Sequence, residues 1–306
     1  MNKLDFVGFG ALNVDKLFRV DHIAGKDDES SIIESRESCG GSAANTTVGL
    51  ARLGLKTGYI GKVASDSEGR FLLDGFKKHN VDTCGITVTE KGRSGVVIGF
   101  VDKMGERALY VDPGVNDDID LKEISQDYAR KSKLLHLTSL VGEKSFEAQE
   151  SLVRNLPKQV KVSLDPGMLY SKRGMPALEP ILRRVFAVLL NETELRLLTG
   201  ESFEVGAKKL MAEGAEVVGV KLGNKGCFVA NGGHSYVVEP FRVKAVDTTG
   251  AGDAWNAGFL YGFFKKRSLR ECGKLGNFVA SKCIMRLGAR NGLPSLADLR
   301  LSGVPA

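Results

Sequence analysis

Residues 246–259 of this chain read Val-Asp-Thr-Thr-Gly-Ala-Gly-Asp-Ala-Trp-Asn-Ala-Gly-Phe. Gly250, Ala251 and Gly252 are too small to shield their own backbone, and Asp253 follows them directly. Ala254, Ala257, Gly258, Tyr261 and Phe264 then recur at helical spacing, which predicts a helix over Ala254–Lys266. A small-residue turn opening a helix leaves unpaired N–H groups pointing out of the helix start. Together with the positive end of the helix dipole, those donors form an anion site that needs no lysine. A carboxylate next to an anion site is repelled by what the site binds. The repulsion has a purpose if Asp253 is a base and the anion is a phosphate accepting a nucleophile, the arrangement phosphoryl transfer requires. The plainer reading is a glycine-rich turn in which Asp253 serves only the dipole or a cap.

Other constellations are weaker taken singly. Cys39-Gly-Gly-Ser-Ala-Ala-Asn45 is a second small-residue turn entering a helix; Gly40 and Gly41 let a ligand approach the backbone, and Asn45 can donate and accept to a polyol. Asn13 and Asp15 follow the first strand, where α/β ligands gather, and their i, i+2 spacing puts both on one face. An Asx turn would explain them equally. Asn191-Glu-Thr-Glu194 opens a helix with Asn191 as N-cap and Glu194 at N3, and capping alone accounts for both. In Lys221-Leu-Gly-Asn-Lys-Gly226, Gly223 and Gly226 suggest a turn, with Lys221 either reaching a phosphate or solvated. Gly8-x-Gly10 fails as a dinucleotide fingerprint because Asn13 stands where the third glycine belongs, which disfavours a dehydrogenase.

The elements that must hold these residues alternate. Strand-like runs occur at Phe6–Gly10, Thr57–Val63, Leu134–Leu137, Val160–Leu164, Val185–Leu190 and Val217–Leu222. Helical patterns lie between most of them, including 44–53 with Gly54 as its stop and a helix after a Ser65–Glu68 capping box. That rhythm predicts an α/β fold with a doubly wound, mostly parallel sheet covered on both faces. Residues 14–38 and 93–112 break it with short β-branched runs. Met104-Gly105 reads as a hairpin turn, and the two stretches as one small projecting sheet.

Composition narrows the classes. A 42% hydrophobic content over 306 residues suffices for one large core. No apolar run reaches membrane-spanning length, and the N-terminal stretch lacks a signal-peptide layout, so a cytoplasmic location is expected. The net charge of +6 is scattered rather than clustered, which argues against nucleic acid as a partner and suits an anionic cosubstrate. Five cysteines without a CxxC pair are expected as reduced, mostly buried thiols.

The string Asp247-Thr-Thr-Gly-Ala-Gly-Asp253 closely resembles the second signature of the ribokinase-like (PfkB) carbohydrate kinases, and Gly40-Gly-x-x-x-Asn45 the first. The resemblance runs in order over essentially the whole of residues 1–306, read as one kinase domain. It implies a ribokinase-like fold and an ATP-dependent sugar kinase phosphorylating a hydroxymethyl group of a ribose- or fructose-like sugar. Asp253 would be the base, with Gly250, Ala251 and Gly252 lining the anion hole. Asn13, Asp15, Gly40, Gly41 and Asn45 would hold the sugar; Asn191, Lys221, Gly223, Gly226 and Asn277 would hold ATP. Glu194 would place Mg2+ through water, with Asp165 in support, and Asp247 and Thr249 would belong to a K+ site. The 14–38 and 93–112 sheet would be a lid, pairing with a second subunit's lid in a homodimer. Ser42 stands where ribokinases commonly carry Lys, and the sugar-contacting Glu of bacterial ribokinases is missing near Leu137-Thr-Ser139. Ribose, fructose, a keto-deoxy sugar acid and a nucleoside therefore stay open, with Phe100 or Tyr110 as a clamp for a base. The alternatives are a nucleoside kinase of the same family and a non-catalytic sugar- or nucleotide-binding regulator; the intact Gly250–Asp253 turn argues against the latter.

Overall fold

The computed structural model describes residues 4–104 and 106–304. Its strands are β1 (Leu4–Phe9), β2 (Asn13–Val20), β3 (Ile32–Cys39), β4 (Thr57–Ala64), β5 (Asp82–Thr89), β6 (Gly95–Val101), β7 (Arg107–Asp112), β8 (Ser132–Thr138), β9 (Lys161–Asp165), β10 (Ala187–Asn191), β11 (Val217–Lys221), β12 (Cys227–Asn231) and β13 (Ser235–Val238). Among the described residues a nine-stranded sheet runs in the order β13-β12-β11-β10-β9-β8-β1-β4-β5. Pairing is parallel from β5 through β11, and only β12 and β13 are antiparallel. The apolar runs fit this because a parallel strand is buried on both faces. Leu134 and Leu189 enter the core on one face while their neighbours Leu135 and Leu190 enter the core on the other. The chain leaves β1 toward β4 and β5, then returns to its other side at β8. This reversal opens a crevice at the carboxyl ends of β1 and β8. The antiparallel edge β12–β13 and strand β5 are not among the strands expected from the sequence.

Small residues set two helices unusually close. A Cβ added at Gly258, in helix Ala251–Phe264, would lie 2.4 Å from the Leu275 carbonyl of helix Leu269–Cys283. One added at Gly49, in helix Ser42–Arg52, would lie 2.7 Å from Ala257. The small-residue stripe behind Asp253 is therefore a packing surface, and it brings the starts of Ser42–Arg52 and Ala251–Phe264 together. The helix after β4 begins differently from expectation. Its N-cap is Asp66, which accepts from Gly69 N at 2.7 Å, whereas Ser65 Oγ donates to Glu90 and Glu68 pairs with Lys16.

The two stretches that broke the rhythm form one four-stranded sheet in the order β3-β2-β6-β7. Gly105, half of the expected hairpin turn, lies outside the described residues. Asn116 fastens this sheet to the body. Its Oδ1 accepts from Leu12 N at 2.9 Å, and its Nδ2 lies within 3.0 Å of Leu12 O, Asn13 Oδ1 and Pro113 O. Among the described residues no helix is long and apolar enough to cross a bilayer, and all five cysteines are free thiols.

Asn116 is buried, so Asn116→Leu strands the Leu12 N–H and C=O without partners. The variant should lose about 2–3 kcal/mol of stability, read from its urea midpoint. An unshifted midpoint would mean that the lid is anchored elsewhere.

Candidate active site

The candidate residues gather at the carboxyl edge of the large sheet. Asp165 ends β9, Asn191 ends β10 and Lys221 ends β11, while Asn13 begins β2 just past β1. Opposite them stand the starts of helices Ser42–Arg52 and Ala251–Phe264. Gly41 (φ 97°) and Gly250 (φ 74°) precede the first residues of these helices in backbone conformations that side chains resist. Ala251 N–H is taken by Thr248 O at 3.1 Å and Ala254 N–H by Gly250 O at 2.9 Å, so the N–H groups of Gly252 and Asp253 are the donors left at the turn. Helix Ala251–Phe264 starts three residues earlier than the apolar spacing suggested, which puts Asp253 in its first turn.

Two cavities meet at this carboxylate. The larger, about 840 Å³, is lined by Asn191, Glu194, Lys221, Gly223, Gly226 and Gly252 among others. The smaller, about 360 Å³, is lined by Asn13, Asp15, Gly41, Asn45, Val97 and Val111 among others. Asp253 and Ser42 line both. Asn45 Nδ2 donates to Asp253 Oδ2 at 2.9 Å, joining the two helix starts. Burial pushes the Asp253 carboxyl up to about 7, with the Asn45 hydrogen bond pulling the other way. Burial likewise raises Asp15 to about 6, opposed by Arg290. Gly40 is backed directly by Asp15, whose carboxylate oxygens would lie 2.4 Å from any Cβ there. A hydroxyl in the smaller cavity and a phosphate in the larger would thus confront each other across one proton acceptor.

Lys221 is neither solvated nor free. Its ammonium donates to Asp165 Oδ2 at 2.8 Å and lies 3.4 Å from Asn256 Oδ1, and both partners of the ion pair are largely buried. Burial works against the ammonium, but the charges of Asp165 and Glu194 hold its pKa above the ordinary value. Asp165 in turn is held low by Lys221 and Asn256 despite its burial. A cation thereby sits beside the Gly252 turn without a charge left over. Asn191 and Glu194 form a reciprocal capping box, with Glu194 Oε2 accepting from Asn191 N at 2.8 Å. Burial and the nearby Asp165 raise the Glu194 carboxyl, opposed by Lys221 and the Asn191 hydrogen bonds. Among the described residues no cluster of three or more His, Cys, Asp or Glu could hold a metal alone. A magnesium ion that keeps its waters and leans on phosphate oxygens fits a wall carboxylate such as Glu194.

Several expectations change on contact with the geometry. Asn277 lines the larger cavity, but its amide is engaged inside the protein: Oδ1 accepts from Trp255 Nε1 at 2.9 Å, and Nδ2 donates to Val238 O and Glu239 O. It shapes the wall rather than offering a free amide. Asp247 Oδ1 and Oδ2 accept from Thr249 N and Gly288 N, and the Cys283 thiol points at Thr249 O and Ala289 O. These contacts staple the turn to the Gly288 loop. Phe100 and Tyr110 fail as a clamp because register puts them on the lid face opposite Val97 and Val111. There Phe100 packs on Phe18 at 5.6 Å. Residues that sequence reasoning passed over also matter: Asn256, Asn116 and Arg290. Arg290 lay inside a quoted loop, but no local spacing tied it to Asn45, 245 positions away.

Comparison with known proteins agrees with this geometry. The family model "pfkB family carbohydrate kinase" matches residues 4–296. An uncharacterized sugar kinase of Archaeoglobus fulgidus is 47% identical over 251 residues, covering 82% of this chain and all of that protein. An ATP-dependent ribose-1-phosphate kinase of Halopiger xanaduensis is 32% identical, with 92% of each chain covered. The crystal structure of Thermotoga maritima ribokinase superposes with a TM-score of 0.86 at 26% identity, over 97% of this chain and 98% of that one. With its paired glycine turns, its small second sheet and these matches along nearly its full length, the chain belongs to the PfkB family of carbohydrate kinases.

Proposed function

We propose that this sugar kinase transfers the γ-phosphoryl group of ATP to a hydroxymethyl group of a small uncharged sugar, with Asp253 as the base. The observation that carries the reading is the shared wall: one carboxylate and Ser42 line both the large cavity and the small one. The large cavity suits a nucleoside triphosphate, with Lys221 and the Gly252 and Asp253 N–H groups facing the phosphate end. Asn45 holds Oδ2 of Asp253, and the carboxylate takes the proton of the acceptor hydroxyl as the phosphoryl group moves. Mg2+ bound with the triphosphate supplies charge neutralisation, and Glu194 would hold it through water.

Charge supports an uncharged acceptor. The small cavity is lined by Asp15, Asp117 and Asp253, with no Lys or Arg among its described lining residues. A sugar phosphate or sugar acid would be repelled there. Asn13 and Asp15 stand on the cavity face of β2, in register with Gly95 and Val97 of β6, where they suit vicinal hydroxyls. The lid also leaves Ile32, Ile33, Leu109, Tyr110 and Val111 exposed on its edge strands β3 and β7. An apolar edge of this kind favours pairing with a second copy's lid.

An ADP-release assay across ribose, fructose, adenosine, ribose-1-phosphate and a sugar acid tests the reading. A neutral sugar should be preferred over either charged acceptor by about 100-fold or more in kcat/KM; ribose-1-phosphate as the best acceptor would refute the charge argument. With that sugar, Asp253→Asn should lower kcat by about a hundred- to ten-thousand-fold while ATP still binds. Near-full turnover by the variant would remove Asp253 from the base role. The pH profile has a fixed sign. An acid raised by burial must lose its proton to act, so kcat/KM should fall with unit slope below about 7 and more steeply near 6 where Asp15 protonates. The folded state also binds the Asp253 proton more tightly than the unfolded chain, so ionisation between 3.8 and about 7 costs stability. Asp253→Asn should therefore melt higher than the parent at pH 8, and an equal or lower Tm would contradict the burial cost. Sedimentation equilibrium should find a dimer that Leu109→Asp dissociates; a parent that stays monomeric throughout would discard the lid pairing.

A further inference from the structure

We infer that Arg290 is a positioning residue for the base, acting on Asp253 through Asn45. The inference rests on the base reading above and adds to it a residue that touches neither cavity. Arg290 Nε donates to Asn45 Oδ1 at 2.7 Å, and Asn45 Nδ2 donates to Asp253 Oδ2 at 2.9 Å. An asparagine amide has two faces that a hydrogen-bonding environment must tell apart. Here a donor-only guanidinium settles the choice: Oδ1 must face Arg290, so the amide N–H must face Asp253. With the amide reversed, its oxygen would confront a carboxylate and its N–H an arginine, and both contacts would be repulsive.

The guanidinium is itself immobilised. Its other arm donates to Gly40 O at 3.1 Å, and its central carbon lies 5.7 Å from the centre of the Phe76 ring. Gly40 is the residue pressed against the Asp15 carboxylate. One cation thus ties the turn that backs the acceptor end of the small cavity to the carboxylate at its far wall. It also places a positive charge near two carboxylates that burial disfavours. The other titratable groups that face Asp253 are Asp165 and Lys221 at the ends of β9 and β11, Tyr59 on β4 and Cys283 at the end of helix Leu269–Cys283. Of these only Lys221 is a cation, and it is already paired with Asp165.

The test compares the parent with Arg290→Met, Arg290→Lys, Asn45→Ala and the Arg290→Met/Asn45→Ala double variant. With aspartate carboxyls labelled in 13C, the Asp253 signal is the one missing from Asp253→Asn, and its titration needs no substrate. In Arg290→Met its midpoint should rise by about one pH unit, with a smaller rise in Arg290→Lys. A midpoint that does not move overturns the inference. On an acceptor the parent phosphorylates, Arg290→Met should lower kcat about 100-fold with KM for ATP little changed. The double variant should lose little beyond the worse single one. Additive losses would mean that Arg290 and Asn45 act separately and would also overturn it. If Arg290→Met does not fold, Arg290→Lys and Asn45→Ala still decide through the carboxyl titration. Full turnover by Asp253→Asn would instead defeat the base reading, an outcome the Arg290 variants cannot mimic.

Discussion

The contact on which the site depends is the hydrogen bond from Asn45 to Asp253, made between the starts of two helices that lie 208 residues apart in sequence. For it to form, helices Ser42–Arg52 and Ala251–Phe264 must approach almost backbone to backbone. The glycines and alanines along both helices allow this approach, since Gly49 meets Ala257 with no room for another carbon. Thr46 Oγ1 donates to the Asp253 carbonyl at 3.2 Å, tying the same pair of helices a second time. Packing and chemistry therefore share one requirement. A larger residue on the small-residue stripe would push the base away from the amide that orients it.

Electrostatics around that contact is a balance of buried charges. Asp253 is raised by its burial, and Asp165 alone would raise it further. Lys221 prevents that by pairing with Asp165, so the pair presents little net charge to its neighbour. Asn256 donates a second hydrogen bond to Asp165 Oδ2 at 2.7 Å, which keeps the carboxylate turned toward the lysine. The result is a carboxyl group that burial raises to about 7, which suits the proton-accepting role proposed for it.

How much of this was legible in the chain depends on how local each signal was. The glycine turns at Gly40–Gly41 and Gly250–Gly252, the Asn191–Glu194 cap and the buried strands are written in consecutive residues, and the fold and family followed from them. The lid was legible as a break in rhythm, though the face each of its residues occupies needed the register between β6 and β7. The sequence leaves Lys221 either solvated or at a phosphate, and only its partner on β9 shows that it is buried and paired. Arg290 carries no such signal, since its partner lies on another element. Helix boundaries slipped where a cap competed: Asp66 rather than Ser65 begins its helix, because Ser65 bonds Glu90 instead.

The same burial that tunes the base also constrains what the small cavity can take. Under the proposed function, a wall made of Asp15, Asp117 and Asp253 favours hydroxyl groups, which can donate to each carboxylate, over a second anion. Arg290 eases the repulsion from behind through Asn45 and Gly40, without presenting a donor to the cavity itself. Had the cation lined the cavity, it would have attracted an anionic acceptor and paired with Asp253 directly, lowering the carboxyl and weakening it as a base. Placing it one residue back separates the two tasks: the charge steadies the carboxylates, and the asparagine amide fixes the orientation of Asp253.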